Sequence, residues 1–206
     1  MELNDIFDYL IEPYKNYEHL HIVLELLAAF FGIFSVFLSI RKNIWVYPIG
    51  IISTSIYVYL NFQWTLIGEM LINIYYTVMS LYGWWLWYWD AEVFTSSIKL
   101  TSSNLTVRTI SLFFIGYIAV ITIYYFNFGS FLAIPAINYI DTLASAIFLV
   151  AMYLMAHKRV EHWLFWILGN GLAIYQFVVK GYAITAFQFV VFLILAVMGW
   201  KTWRKK

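Results

Sequence analysis

The chain has no cysteine, which excludes disulfides, thiolate metal sites and cysteine nucleophiles together. Charge is nearly as scarce: Asp, Glu, Lys and Arg make up 11% of the 206 residues, against about 25% in a typical soluble domain. With 64% hydrophobic residues and a mean hydropathy of +0.79, the sequence cannot clothe a core in a polar surface, and a soluble globular fold is excluded. The formal net charge is only +1 and no basic stripe occurs, so no nucleic-acid partner is expected. The first 20 residues carry Glu2, Asp5, Asp8, Glu12 and Glu18 against Lys15, the reverse of a signal peptide's basic start, so no cleaved targeting segment is expected. There is no P-loop, G-x-S-x-G or H-E-x-x-H motif. An enzyme, a cofactor and a metal centre are therefore not expected.

What the sequence does have is long apolar runs. Segments 21–40, 44–62, 65–89, 109–128, 139–157, 161–179 and 183–200 are each long and apolar enough to read as a transmembrane helix, seven in all. In the second, Pro48 and Gly50 interrupt the run and Ser53, Thr54 and Ser55 dilute it, the pattern of a broken helix beside a cavity. The polar stretch 90–108 is the long connection. The expected organisation is an outer N-terminal segment 1–20, a three-helix block 21–89, a cytoplasmic linker 90–108, a linker helix 109–128, a second three-helix block 139–200 and a basic tail 201–206. Ten of the twelve Lys and Arg residues fall on one side of this scheme, and only Lys15 and Lys180 on the other. The positive-inside rule then places the N-terminus outside and the C-terminus in the cytoplasm.

The two blocks resemble each other. Gly83-Trp84-Trp85-Leu86-Trp87 matches Gly199-Trp200-Lys201-Thr202-Trp203 at an offset of 116. Arg41-Lys42 before Trp45 matches Lys158-Arg159 before Trp163, and Tyr57 and Tyr175 follow those tryptophans at an offset of 118. Glu25 and Asp141 open the first and fifth helices. Three helices, one helix and three helices make both blocks enter the membrane in the same direction, a parallel repeat.

A few polar residues fall at membrane depth. Trp163, Trp166 and Asn170 stand at i, i+3 and i+7, on one stripe of the sixth helix. Asn170 reaches the bilayer midplane, where an amide facing lipid would cost several kcal/mol, so it faces protein or a cavity. Asn73 lies at a similar depth one turn from Glu69, and Gln188 sits somewhat nearer the outside. Such amides can join helices, at about 0.6 kcal/mol per pair, as in a non-transport membrane interaction protein, or they can bind a ligand. Glu69, an ionisable group inside a span, points to a cation, a proton or a substrate. Glu25 and Asp141 lie near the outer ends of their helices, where a solvated role and a binding role compete for Asp141 and the solvated one is favoured for Glu25. Trp84, Trp85, Trp87 and Trp89 read as a cytoplasmic aromatic belt, and His157 and His162 as interface histidines. Aromatic side chains deep in a polar-lined bundle suit a planar or cationic ligand.

Several of these motifs resemble those of the PnuC-type vitamin transporters: Ile74-Tyr75-Tyr76 with Ser80-Leu81-Tyr82-Gly83-Trp84, Asp141, and Lys158-Arg159-Val160-Glu161-His162-Trp163-Leu164-Phe165-Trp166 leading to Asn170. Lys180-Gly181 before the last helix belongs to the same resemblance, which spans about residues 25–203. It implies an all-helical membrane fold of seven helices in the 3+1+3 arrangement shared with the SWEET sugar carriers. It also implies uptake of nicotinamide riboside, or of thiamine as in some relatives, by facilitated diffusion across a bacterial inner membrane. A homotrimer and a cytoplasmic kinase that traps the vitamin are implied as well. The pocket it implies includes Trp163, Trp166 and Asn170. With the residues read above, the candidate binding set is Trp163, Trp166, Asn170, Asn73, Glu69, Gln188, Asp141 and Tyr76. A glutamine is common in the family where this chain has Asn73.

Overall fold

The computed structural model describes residues 18–64, 67–89 and 103–205. Most of the expected N-terminal segment (1–17), most of the expected linker (90–102) and the last residue of the basic tail lie outside the described residues. The described chain forms α1 (His19–Ile40), α2 (Val46–Gln63), α3 (Ile67–Trp89), α4 (Ser103–Phe128), a 3-10 turn (Phe131–Ala133), α5 (Ala136–Ala156), α6 (His162–Val179) and α7 (Ala183–Arg204). No strand occurs among the described residues. Five helices, α1, α4, α5, α6 and α7, are long and apolar enough to cross a membrane. In α2 and α3 the residues Ser53, Thr54, Asn61, Glu69 and Asn73 dilute the apolar run.

Pro48 does not break α2. It falls in the first turn, where a helix has no use for the missing N–H, so the helix runs through from Val46 to Gln63.

Neighbours in sequence are neighbours in space: α1 packs on α2 and α2 on α3, while α5 packs on α6 and α6 on α7. The two groups meet where α1 touches α7 and where α3 touches α5, and α4 leans on α5.

The turns after α1 and α5 are built alike. After α1, Lys42 N–H donates to Ser39 O and Asn43 N–H to Leu38 O; after α5, Lys158 N–H donates to Met155 O and Arg159 N–H to Leu154 O. This is the Schellman termination, and its left-handed position is taken by Lys42 (φ 56°) and Lys158 (φ 52°) rather than glycine. After α6 the same pair of bonds, from Gly181 to Val178 and from Tyr182 to Phe177, uses Gly181 at φ 79°.

The main core lies at the end of the bundle where these lysines sit. Tyr47 and Trp163 are buried, and each presses a ring into a glycine of a neighbouring helix. A Cβ on Gly83 would stand 2.4 Å from the Tyr47 ring, and one on Gly199 would stand 2.5 Å from the Trp163 indole. Beside them, Trp87 Nε1 donates to Ala156 O at 3.1 Å, and Trp203 Nε1 donates to Ser39 O at 3.2 Å and Ile40 O at 3.3 Å. Trp87 thus satisfies a carbonyl at the end of α5, and Trp203 satisfies Ile40 O at the end of α1 while sharing Ser39 O with Lys42 N–H.

Several expectations change here. Trp87 is 3% exposed and is not part of an aromatic belt; its N–H has a protein acceptor, which a lipid-facing indole would lack. His162 is fully buried, packed at a tilt against Trp163 and edge-on to Trp203 with ring centroids at 4.4 and 4.8 Å, so it is a core residue rather than an interface histidine. The place of Trp163 is matched by Tyr47, at a spacing of 116, and not by Trp45, which is 61% exposed. Lys42 and Lys158, Gly83 and Gly199, and Trp87 and Trp203 share that spacing, so the offset of 118 through Trp45, Tyr57 and Tyr175 does not hold.

Candidate functional site

Six helices, α1 to α3 and α5 to α7, surround a cavity of about 230 Å³, and α4 supplies none of its lining residues. The lining recurs at helical spacing. On α2 it includes Gly50, Ser53, Thr54, Tyr57 and Asn61, with Val46; on α3 it includes Glu69, Asn73, Tyr76 and Ser80, with Ile72. These steps of three and four keep one face of each helix polar and turn it inward. The second helix is therefore short of hydropathy because of a wall it builds, and not because it is broken.

All eight residues of the candidate binding set line this one cavity. Trp166 holds the middle of an aromatic group, with Phe148 at 5.4 Å and Tyr76 at 6.1 Å between ring centroids. Phe189 continues the row, 6.0 Å from Phe148 and 5.2 Å from Phe177. Trp163 forms a wall of the cavity while most of its ring is committed to Gly199. Asn170 is 2% exposed, and its Oδ1 is buried without a hydrogen-bond partner. Asn73 turns its Nδ2 back to Glu69 O at 2.9 Å, one helical turn away. Gln188 accepts from Tyr57 OH at 2.6 Å, a bond that ties α7 to α2.

Neither Glu25 nor Asp141 is solvated. Glu25 is 2% exposed and Asp141 7% exposed, because both lie more than a turn inside their helices and face other helices rather than solvent. Thr185 Oγ1 donates to Glu25 at 3.4 Å. Asp141 accepts on both oxygens: Gln176 Nε2 donates to Oδ1 at 2.6 Å, and the Tyr124 hydroxyl donates to Oδ2. Glu69 lies within electrostatic reach of both Asp141 and Lys180, and no Lys or Arg lines the cavity itself.

Gln176, Tyr57 and Tyr124 belong to the site and are absent from the candidate binding set read from the sequence. Gln176 carried a usable signal, an amide inside an apolar run two turns after Asn170. Tyr57 and Tyr124 did not, because two tyrosines among seventeen carry no mark of which way they face.

This cavity is the kind a small polar-aromatic solute would occupy, and residues 22–205 match the nicotinamide mononucleotide transporter family. The chain belongs to that family. As a family member with several apolar helices it is a multi-pass membrane protein of a transporter family. The nicotinamide riboside transporter PnuC of Escherichia coli (strain K12) is 22% identical over 204 residues, covering 87% of this chain and 84% of that one. The riboflavin/roseoflavin transporter RibM of Streptomyces davaonensis is 23% identical over 191 residues, covering 87% of this chain and 83% of that one. The fold matches a crystal structure of the vitamin B3 transporter PnuC with a TM-score of 0.68 and 21% identity, over 100% of this chain and 97% of the other.

Proposed function

We propose that the chain is a carrier for nicotinamide riboside, taken up by facilitated diffusion through this cavity in a bacterial inner membrane. The observation that carries the reading is the unpartnered Oδ1 of Asn170. A buried acceptor without a donor costs about 1–3 kcal/mol, and beside Trp166 it offers a donor-bearing, planar ligand both a stacking face and an acceptor. Nicotinamide riboside brings a carboxamide N–H and ribose hydroxyls for Asn170, Asn73 and Gln188. Its flat pyridinium suits Trp166 and Tyr76, and Glu69 and Asp141 favour its charge. A cation–π contact contributes about 2 kcal/mol when water is excluded.

The packing supports two parallel three-helix repeats, α1–α3 and α5–α7, joined by α4. The spacing of 116 recurs in the Lys42 and Lys158 turns, in the Tyr47–Gly83 and Trp163–Gly199 contacts, and in the Trp87 and Trp203 hydrogen bonds. Alternating access is then rocking of one repeat against the other around the shared cavity. The distribution of Lys and Arg supports an outer N-terminus and a cytoplasmic C-terminus. A homotrimer, with a cytoplasmic kinase trapping the vitamin, completes the reading.

The name of the Streptomyces relative favours a second reading, riboflavin. That ring system is neutral and would leave Glu69 and Asp141 without a cation, whereas thiamine, also a flat aromatic cation, would not. Uptake of labelled nicotinamide riboside into proteoliposomes tests the proposal. The expected result is saturable uptake with no imposed ion gradient, with excess riboflavin competing poorly. Saturable uptake of riboflavin or thiamine, with none of nicotinamide riboside, would overturn the substrate.

A further inference from the structure

Asp141, which lines the cavity, is held from two other helices. Tyr124, on the linker helix α4, lies outside the cavity and reaches Asp141 Oδ2 from behind. Gln176, on α6, lines the cavity and holds Oδ1 at 2.6 Å. Both oxygens of Asp141 are engaged, one from α4 and one from α6, so the group is fixed in orientation from two sides. A carboxylate this deeply buried needs an opposite charge as well as hydrogen bonds; the lining of the cavity contains no Lys or Arg, and Lys180, outside the lining, acts electrostatically on Glu69.

We propose that Tyr124 and Gln176 are positioning residues that clamp Asp141 so that its charge faces the cavity, and that this clamp selects a cationic ring over a neutral ring of the same shape. The inference rests on the reading of the cavity as a nicotinamide riboside site and names the group that reads the charge. It also gives α4 a part in selectivity: the linker helix contributes no lining residue, yet it fixes the orientation of one that does. Of the two carboxylates, Asp141 is assigned the role because its position is fixed through α4 and α6.

The test compares nicotinamide riboside with its 1,4-dihydro form, in which the reduced ring is neutral and nearly the same size. Titration calorimetry on the purified full-length protein in detergent measures both dissociation constants. The unchanged protein is expected to prefer the cation by about tenfold or more, the scale of one partly screened charge pair. Asp141→Asn should remove most of that preference by weakening the cation and leaving the neutral form within about threefold. Tyr124→Phe and Gln176→Leu should reduce the preference in the same sense but by less. A residue that only stabilises the fold would weaken both ligands together and leave their ratio unchanged.

Equal affinity of the unchanged protein for the two forms overturns the inference without recourse to any variant. So does a ratio that moves in Glu69→Gln and stays fixed in Asp141→Asn. Binding of neither form by folded protein overturns the functional reading itself, and this inference with it.

Discussion

Trp163 lies against Gly199 so closely that a Cβ at that glycine would stand 2.5 Å from the indole, and Tyr47 meets Gly83 in the same way at 2.4 Å. These two contacts, 116 residues apart, hold the sixth helix to the seventh and the second to the third beneath the cavity. A rigid ring cannot retreat from a methyl group without moving its own helix. Gly199→Ala and Gly83→Ala should therefore each cost about 1–3 kcal/mol, the usual penalty for overpacking a core. Thermal unfolding in detergent measures this, with Gly171→Ala as a control, because a Cβ on Gly171 meets nothing within 4 Å. Equal melting temperatures for all three variants would contradict the packing described.

Trp87 and Trp203 each give one N–H to carbonyls at the ends of α5 and α1. Trp87→Phe and Trp203→Phe keep an aromatic ring and lose the donor. Each should cost about 1–3 kcal/mol, since a buried carbonyl, Ala156 O or Ile40 O, loses its indole donor. The two sites share none of these hydrogen bonds, so the double variant should show roughly the sum of the single effects. A coupling above about 0.5 kcal/mol would show that the two ends move as one unit.

The hydrogen bond from Tyr57 to Gln188, at 2.6 Å, crosses from α2 to α7. A double-mutant cycle of Tyr57→Phe and Gln188→Leu should give a coupling of about 0.5–1.5 kcal/mol in stability. A cycle that closes at zero would mean that the pair does not hold the helices together.

The two left-handed lysines give a prediction of opposite sign. Lys42→Gly removes the strain of a side chain at φ 56° and should stabilise the protein by up to about 1 kcal/mol. Lys158→Gly should gain less, because Lys158 also places its ammonium 4.4 Å from the centre of the Trp87 ring, a contact of about 0.5–1 kcal/mol. Chemical denaturation of both variants checks the order, and a larger gain at Lys158 would contradict it.

Much of this was legible in the sequence for a physical reason. Burying polar groups in a membrane is expensive, so an Asn170, an Asn73 or a Glu69 inside an apolar run stands out, and each lines the cavity. The G-W-x-x-W match located Gly83 and Gly199, whose role is steric and depends on local sequence. What the sequence hid was direction. Trp45 and Tyr47 both sit beside the same basic turn, and only the helical phase of α2 decides that Tyr47 takes the buried place. Trp87 looked like its belt neighbours Trp85 and Trp89, since nothing local reveals that its N–H meets Ala156 O. Tyr124 was hidden for the same reason: its partner Asp141 is fixed by how α4 leans on α5, a tertiary relation.

The central claim is that Asn170 and Trp166 receive nicotinamide riboside in the cavity, and calorimetric titration of that vitamin into the purified protein tests it most directly. The account predicts one saturable site in the unchanged protein. Trp166→Ala and Asn170→Leu should each weaken it by about tenfold or more, in proteins that still unfold cooperatively. Undiminished binding in both folded variants would contradict the account.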